Sequence, residues 1–250
     1  MDLWRIYPGG ETLTAAAVMS GLGLRDLAPA RRPYLVVNFV ASADGKATFE
    51  GRSGKLGGDV DSALFHRLRT QVDAVLVGSG TLGAERYGRI VRDPELRAAR
   101  EAEGLAPDPL ACVVSRSLSL PVDIPLLQDP EQRTIVITSS DERLEGVGPG
   151  VSVERLRAEE LTLTSALQLL HDRHAVRSVL CEGGPRLFGA LLGEELVDEL
   201  FLSLAPRIAG GGESPTIVEG MPLAELLELE LVWVLEAEGE LFIRYRTVKS

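Results

Sequence analysis

Short apolar runs alternate with segments of helical periodicity through most of this chain. Tyr34-Leu-Val-Val-Asn-Phe-Val40 and the runs at 74–78, 110–114, 134–138 and 178–181 carry few polar residues, the pattern of strands buried on both faces. Between them lie helical patterns at Asp59 to Gln71, near 93–103, at 162–174 and at 185–193. The first of these follows Gly57-Gly58, places Asp59 and Asp61 in its first turn and Arg67 and Arg69 in its last, and aligns Val60, Leu64, Phe65 and Leu68 on one face. Strands alternating with helices predict an α/β fold with a mostly parallel sheet. Leu229 to Leu235 and Leu241 to Thr247 are β-rich runs joined by Glu236-Ala-Glu-Gly-Glu240, which predicts an antiparallel hairpin at one edge. Residues 1–32 carry one helical pattern, Leu13 to Leu22, and read as an N-terminal extension without chemistry. No repeat or low-complexity linker divides the remainder, so 33–250 is expected to form one domain.

The ends of the apolar runs carry the candidate chemistry. Ser178 to Cys181 leads through Glu182 into Gly183-Gly184-Pro185 and a helix, a turn whose free N–H groups and helix dipole suit a phosphate. Ala74-Val-Leu-Val-Gly-Ser-Gly80-Thr81 repeats the pattern, and Leu110 to Val114 ends in Ser115-Arg116. Parallel strands ending this way bring their turns to one sheet edge, where open α/β folds bind ligands, and a nucleotide suits that edge. His171 and His174 stand three apart on a helix, but basic residues are favoured near a helix C-terminus and no third ligand is in view, so no metal site is expected. There is no G-x-S-x-G and no G-x-x-x-x-G-K, which argues against acyl transfer and P-loop phosphoryl transfer. The net charge of −11 argues against nucleic acid as a partner. Cys112 and Cys181 lie in apolar strands and read as buried thiols, and no run approaches a membrane span, so a cytoplasmic protein is expected.

With Asn38-Phe-Val-Ala-Ser-Ala-Asp-Gly-Lys46, Val77-Gly-Ser-Gly-Thr81, Val114-Ser-Arg116 and Glu182-Gly-Gly-Pro185 in this order, the chain resembles the pyrimidine reductases of riboflavin biosynthesis. The likeness runs from about Pro33 to the C-terminus. It implies a dihydrofolate-reductase-like, three-layer αβα fold, and a reductase standing alone without the zinc deaminase domain that often accompanies it. It further implies NADPH as cofactor, held by Ala41, Gly80, Thr81, Ser115 and Gly183, Gly184, Pro185 and Leu187, with Arg116 beside the 2′-phosphate. Ser53, Arg69, Arg92 and Glu182 match positions that grip a ribosyl phosphate and a pyrimidine. The implied reaction reduces the ribosylamino group of a phosphoribosylaminouracil to a ribityl chain. A reductase of the same fold acting on another heterocycle such as a dihydropterin, and a nucleotide-binding protein without turnover, are the alternatives. Family likeness and the edge hairpin together suggest a homodimer.

The chain departs from the family pattern at two places. Many members carry A-D-D-P-x-L-T-x-R after the G-x-G-T turn, where this chain has Ala84-Glu-Arg-Tyr-Gly-Arg-Ile-Val-Arg92. Glu85 keeps a carboxylate and Arg92 the final arginine, while the proline and threonine are lost. Lys55 stands where other residues often touch the cofactor. Reducing an imine requires a proton as well as a hydride, so Asp44, Glu85 and Glu182 are the candidate catalytic carboxylates. Glu182 is assigned to pyrimidine recognition and Asp44 or Glu85 to the proton step, assisted by a pKa raised through partial burial.

Overall fold

The computed structural model describes residues 2–248. Strands β1 (Asp2–Tyr7) and β2 (Glu11–Thr14) lead into helix α1 (Ala15–Met19), followed by β3 (Tyr34–Ser42), α2 (Asp59–Thr70) and β4 (Ala74–Gly78). The short α3 (Ser79–Ala84), α4 (Pro94–Ala102), β5 (Leu110–Val114), α5 (Pro125–Gln128), β6 (Thr134–Thr138) and β7 (Val151–Arg155) come next. The chain closes with α6 (Leu163–His174), β8 (Ser178–Cys181), α7 (Pro185–Gly193), β9 (Glu199–Ala205), β10 (Leu229–Ala237) and β11 (Glu240–Thr247). The dihydrofolate-reductase-like α/β class expected from the sequence is the one found. No helix among the described residues is long and apolar enough to cross a membrane.

Two compact units share these elements. One contains residues 23–34 and 69–182, the other residues 2–22 together with 35–68 and 183–248. In the first, the strand order is β8-β4-β5-β6-β7 and every pairing is parallel, with Ala74 in register with Leu110 and Val179. The strands at 74–78, 110–114, 134–138 and 178–181 match the apolar runs because burial on both faces leaves little room for polar residues. Their carboxyl ends share an edge, as the strand-end turns required.

Buried polar groups fix the corners of this unit. Asp73 Oδ2 accepts from the backbone N–H groups of Arg177 and Ser178 at 2.9 and 3.1 Å. The guanidinium of Arg100, only 1% exposed, donates to the carbonyls of Arg69, Thr70 and Val72 at 2.8–3.0 Å and to that of Ala106 at 2.8 Å. It satisfies carbonyls that the end of α2 leaves open, while burial pulls its pKa down to about 10.

The other unit has the order β2-β1-β10-β11-β9-β3. β3 and β9 are parallel, and the remaining pairs are antiparallel. The C-terminal hairpin is present, and β1 pairs with β10 with β2 outside β1, so residues 2–14 extend the sheet. The helical pattern at Leu13 to Leu22 shrinks to five residues, because Glu11 to Thr14 is taken up by pairing with β1, and the Thr14 hydroxyl caps α1 at the Ala17 N–H. Strand β9 was not marked in the sequence, since Glu199 and Ser203 interrupt its apolar run. Both are buried, and Glu199 is neutralised by an Arg244 fork at 2.8 and 3.0 Å.

A second acidic cluster sits where α2 begins. Ser203 donates to Asp61, Glu240 Oε2 accepts from the Gly58 N–H at 3.2 Å, and Glu240 Oε1 is buried without a partner among the described residues. Burial and then the nearby Asp61 raise the Glu240 pKa to about 7. A carboxyl whose native pKa lies above its unfolded value stabilises the fold at low pH and loses that contribution as pH rises through about 7. Glu240→Gln should therefore raise the midpoint of thermal unfolding at pH 8, by about 1–2 kcal/mol in stability, and give no gain at pH 4. Melting curves across that range check it, and equal effects at both ends would disprove the linkage.

Candidate active site

At the carboxyl edge of the parallel unit, Glu182 follows directly on β8, and its backbone N–H bonds the Leu76 carbonyl at 3.0 Å. Its side chain is 1% exposed, which leaves an ionised carboxylate unstable without a counter-charge. Arg69, from the last turn of α2, supplies it as a two-pronged fork: Nε donates to Oε1 at 2.6 Å and Nη2 to Oε2 at 2.7 Å. The Tyr87 hydroxyl adds a third donor to Oε2 at 2.8 Å, and the Arg69 guanidinium carbon lies 5.8 Å from the Tyr87 ring centre. Burial, then the Glu182 charge, push the Tyr87 pKa well above its usual value, so the phenol stays a donor. Burial works against the Arg69 charge, but the Glu182 carboxylate outweighs it and raises its pKa.

Tyr87 is the site residue that sequence reasoning missed. It reaches Glu182 because α3 stops in a Schellman turn: Arg86 takes the left-handed position at φ 45°, its N–H bonds Gly83, and the Tyr87 N–H bonds Leu82. That position usually holds glycine, so an arginine there gives no terminator signal in the sequence. The segment that follows is anchored at successive points. The Leu126 N–H donates to the Tyr87 carbonyl, Ile90 donates to the buried Gln132 amide oxygen, and Arg69 Nη1 donates to the Ile90 carbonyl. Arg89 is paired with Asp108 and Glu131.

Arg69 turns its fork to Glu182 and its remaining prong to the Ile90 carbonyl, so the Glu182 charge is neutralised from within the protein. Arg92 is exposed, and among the described residues it makes no hydrogen bond or ion pair. Glu85 is half-buried at the end of α3, and its charge contributes to the raised Tyr87 pKa. Gly80 and Thr81 lie in α3 directly after β4, with open space where a Gly80 Cβ would stand. Ser115 is buried past the end of β5, and Arg116 beside it is exposed.

In the other unit, Asp44 accepts three hydrogen bonds. Oδ1 accepts from the Ser42 hydroxyl at 2.6 Å and the Ala209 N–H at 3.0 Å, and Oδ2 from the Gly210 N–H at 2.8 Å. The Ser42 hydrogen bond and then the two backbone donors hold its pKa down to about 2, the opposite of the shift expected for a proton donor. Lys46 Nζ donates to the Ser214 carbonyl, so the turn after β3 and the segment 207–215 are tied together. Ala41 is buried in β3, and Ser53 is half-buried. Lys55 pairs with Glu50 and stands 5.7 Å from the Phe49 ring centre.

The glycine turn of this unit has the form expected. Gly183 sits at φ 100°, where a Cβ is strained in any case and would meet Phe39 Cζ at 3.3 Å. Gly184 begins α7 with no side-chain cap, Pro185 occupies the first turn, and Leu187 is half-buried beside it. These features fit an oxygen-rich anion at the helix start. No cluster of metal-ligating side chains occurs among the described residues.

A parallel sheet whose strands end in glycine and serine turns along one edge places the protein among the open α/β folds that take nucleotide-like ligands at that edge. Comparison with known proteins narrows this. The chain belongs to the RibD C-terminal domain family, matched over residues 33–241. It is 34% identical over 205 residues to the 2,5-diamino-6-ribosylamino-4(3H)-pyrimidinone 5′-phosphate reductase of Archaeoglobus fulgidus, covering 80% of this chain and 93% of that one. The enzyme of the same name from Methanothermobacter thermautotrophicus is 29% identical over 224 residues, 88% of this chain and 100% of the relative. A pyrimidine reductase-like protein from Corynebacterium diphtheriae superposes with a TM-score of 0.80 at 26% identity, across 95% of this chain and 100% of that structure.

Arg69→Met should strand the buried Glu182 charge and cost about 3–5 kcal/mol of stability. Chemical denaturation measures it. A loss below about 1 kcal/mol, the range of an exposed pair, would show that the fork is not needed to bury the glutamate.

Proposed function

We propose that the protein is an NADPH-dependent reductase of a phosphoribosylaminopyrimidine, turning the ribosylamino group into a ribitylamino chain. The observation that carries this is the family match across the whole of the site-bearing sequence, joined to relatives named for that reduction and matched over nearly their full length. None of the relatives compared is named for a dihydropterin or for binding without turnover, so the alternative readings gain no support.

A nicotinamide held at the strand-end turns would supply a hydride for the sugar C1 of a ring-opened imine, and the chain's own groups would have to deliver a proton to the imine nitrogen. The Gly183-Gly184-Pro185 turn is assigned to a cofactor phosphate, and Ser115 with Arg116 to the 2′-phosphate, where a guanidinium makes charge-assisted contacts. Asp44 is withdrawn from the proton step, because three donors keep it ionised and its task is to hold the 207–215 segment. Glu182 is withdrawn from direct recognition of the pyrimidine and assigned to holding Arg69 and Tyr87. Glu85 is left as the carboxylate for the proton step, directly or through water. Arg92 is assigned to the substrate phosphate. Two buried cysteines outside any disulfide fit a reducing, cytoplasmic setting. Met221, Leu226 and Ile208, 73–92% exposed, are assigned to contact with a second copy of the chain.

Loss of NADPH absorbance should follow addition of the 2,5-diamino-6-ribosylamino-pyrimidinone 5′-phosphate or its deaminated uracil counterpart, and not dihydrofolate. Turnover of dihydrofolate alone would overturn the reading. Arg116→Ala should weaken NADPH on the order of tenfold and leave NADH nearly unchanged, since one charge-assisted contact is lost. Equal losses for both cofactors would remove Arg116 from the 2′-phosphate.

A further inference from the structure

The segment 84–100 is rich in arginine, and nearly all of that charge is spent inside the protein. Arg86 faces Asp123, Arg89 pairs with Asp108 and Glu131, Arg97 with Asp108, and Arg100 donates to buried carbonyls. Arg69, which touches the same segment, is forked onto Glu182. Arg92 alone in this segment has no partner among the described residues. An unneutralised guanidinium amid committed ones is the place where an external anion gains most.

Gly88 explains how Arg92 is held. Its backbone lies outside the left-handed region, so no conformational demand calls for glycine there. What glycine provides is space: a Cβ at 88 would stand 2.5 Å from Arg92 Nη2 and 3.3 Å from its Cζ. The Arg92 guanidinium therefore lies directly on the Gly88 backbone. Gly88 is flanked by fixed points. Tyr87 is held by its N–H, its carbonyl and its hydroxyl, and Ile90 by both backbone groups.

We propose that Gly88 and Tyr87 are positioning residues that present Arg92 to a phosphomonoester, Gly88 by leaving room for the guanidinium and Tyr87 by locking the segment onto Glu182 and Arg69. That the anion is a sugar phosphate of the substrate rests on the reductase reading above. The presentation of Arg92 does not.

Ribose 5-phosphate is the probe, titrated calorimetrically into the wild-type protein and into R92A, G88A, Y87F and the G88A/R92A double variant, with melting curves to verify folding. R92A and G88A should each weaken binding on the order of tenfold, and the double variant should be no weaker than R92A, because Gly88 acts only through Arg92. Y87F should weaken binding severalfold and have no further effect in an R92A background. Kinetically, KM for the phosphorylated pyrimidine should rise by the same factors, with kcat within about twofold and no change for the dephosphorylated substrate. Wild-type binding in R92A, or no binding by the wild type, would overturn Arg92 as the anion ligand. A weakened R92A beside an unaffected G88A would overturn positioning by Gly88, and an unaffected Y87F would overturn positioning by Tyr87. If ribose 5-phosphate binding falls as described while no pyrimidine is turned over, the presentation of Arg92 stands and the reductase reading fails. A Y87F that fails to fold would make Tyr87 structural and overturn its positioning role, and G88A with R92A would then decide the role of Gly88, since a Cβ at 88 meets only the flexible end of the Arg92 side chain.

Discussion

A carboxylate buried at a strand end must bring its own counter-charge, and that requirement organises much of this protein. Glu182 closes β8 inside the parallel unit with 1% of its side chain exposed. The Arg69 fork and the Tyr87 hydroxyl turn an isolated buried charge into a neutral, hydrogen-bonded cluster. Arg100 in turn holds the α2 terminus that carries Arg69, and Ile90 receives the remaining prong. The other unit solves the same problem with Glu199 and Arg244, joining β9 to β11. In both cases the pair ties together elements far apart in sequence.

That economy of charge also sorts the functional residues. Arg69, Glu182 and Asp44 are engaged by charge-assisted contacts within the protein, which an external ligand would have to displace to engage them. Groups left open, such as Arg92 and Arg116, are the ones an anionic substrate or cofactor can recruit at little cost. Arginine occurs in both groups. Only the partners differ.

Much of the architecture was legible in the sequence, for a physical reason that varies with the element. Strands at 74–78, 110–114, 134–138 and 178–181 are buried on both faces, so their apolar runs mark them to the residue. Helix α7 is announced by Gly184-Pro185 at its start. Strands β1, β2 and β9 were not legible: the first two are mostly exposed, and β9 buries Glu199 and Ser203, whose polarity is compensated by Arg244, Arg246 and Asp61. A strand satisfied by distant partners carries no local signal.

The sequence by itself determined the α/β class, the glycine turn at Gly183-Gly184 and the family, because periodicity, turn chemistry and motif order are local properties of the chain. Tertiary structure decided which charges are spent and which remain. Whether Arg69 meets a phosphate or Glu182, and whether Asp44 donates a proton or braces Ala209 and Gly210, depends on groups more than a hundred residues away. Tyr87 reaches Glu182 through a turn that Arg86 holds in a conformation arginine rarely adopts, and Gly88 matters for the space beside Arg92 and not for its own backbone. Such long-range pairings are fixed by packing and electrostatics in three dimensions, which one-dimensional spacing does not record.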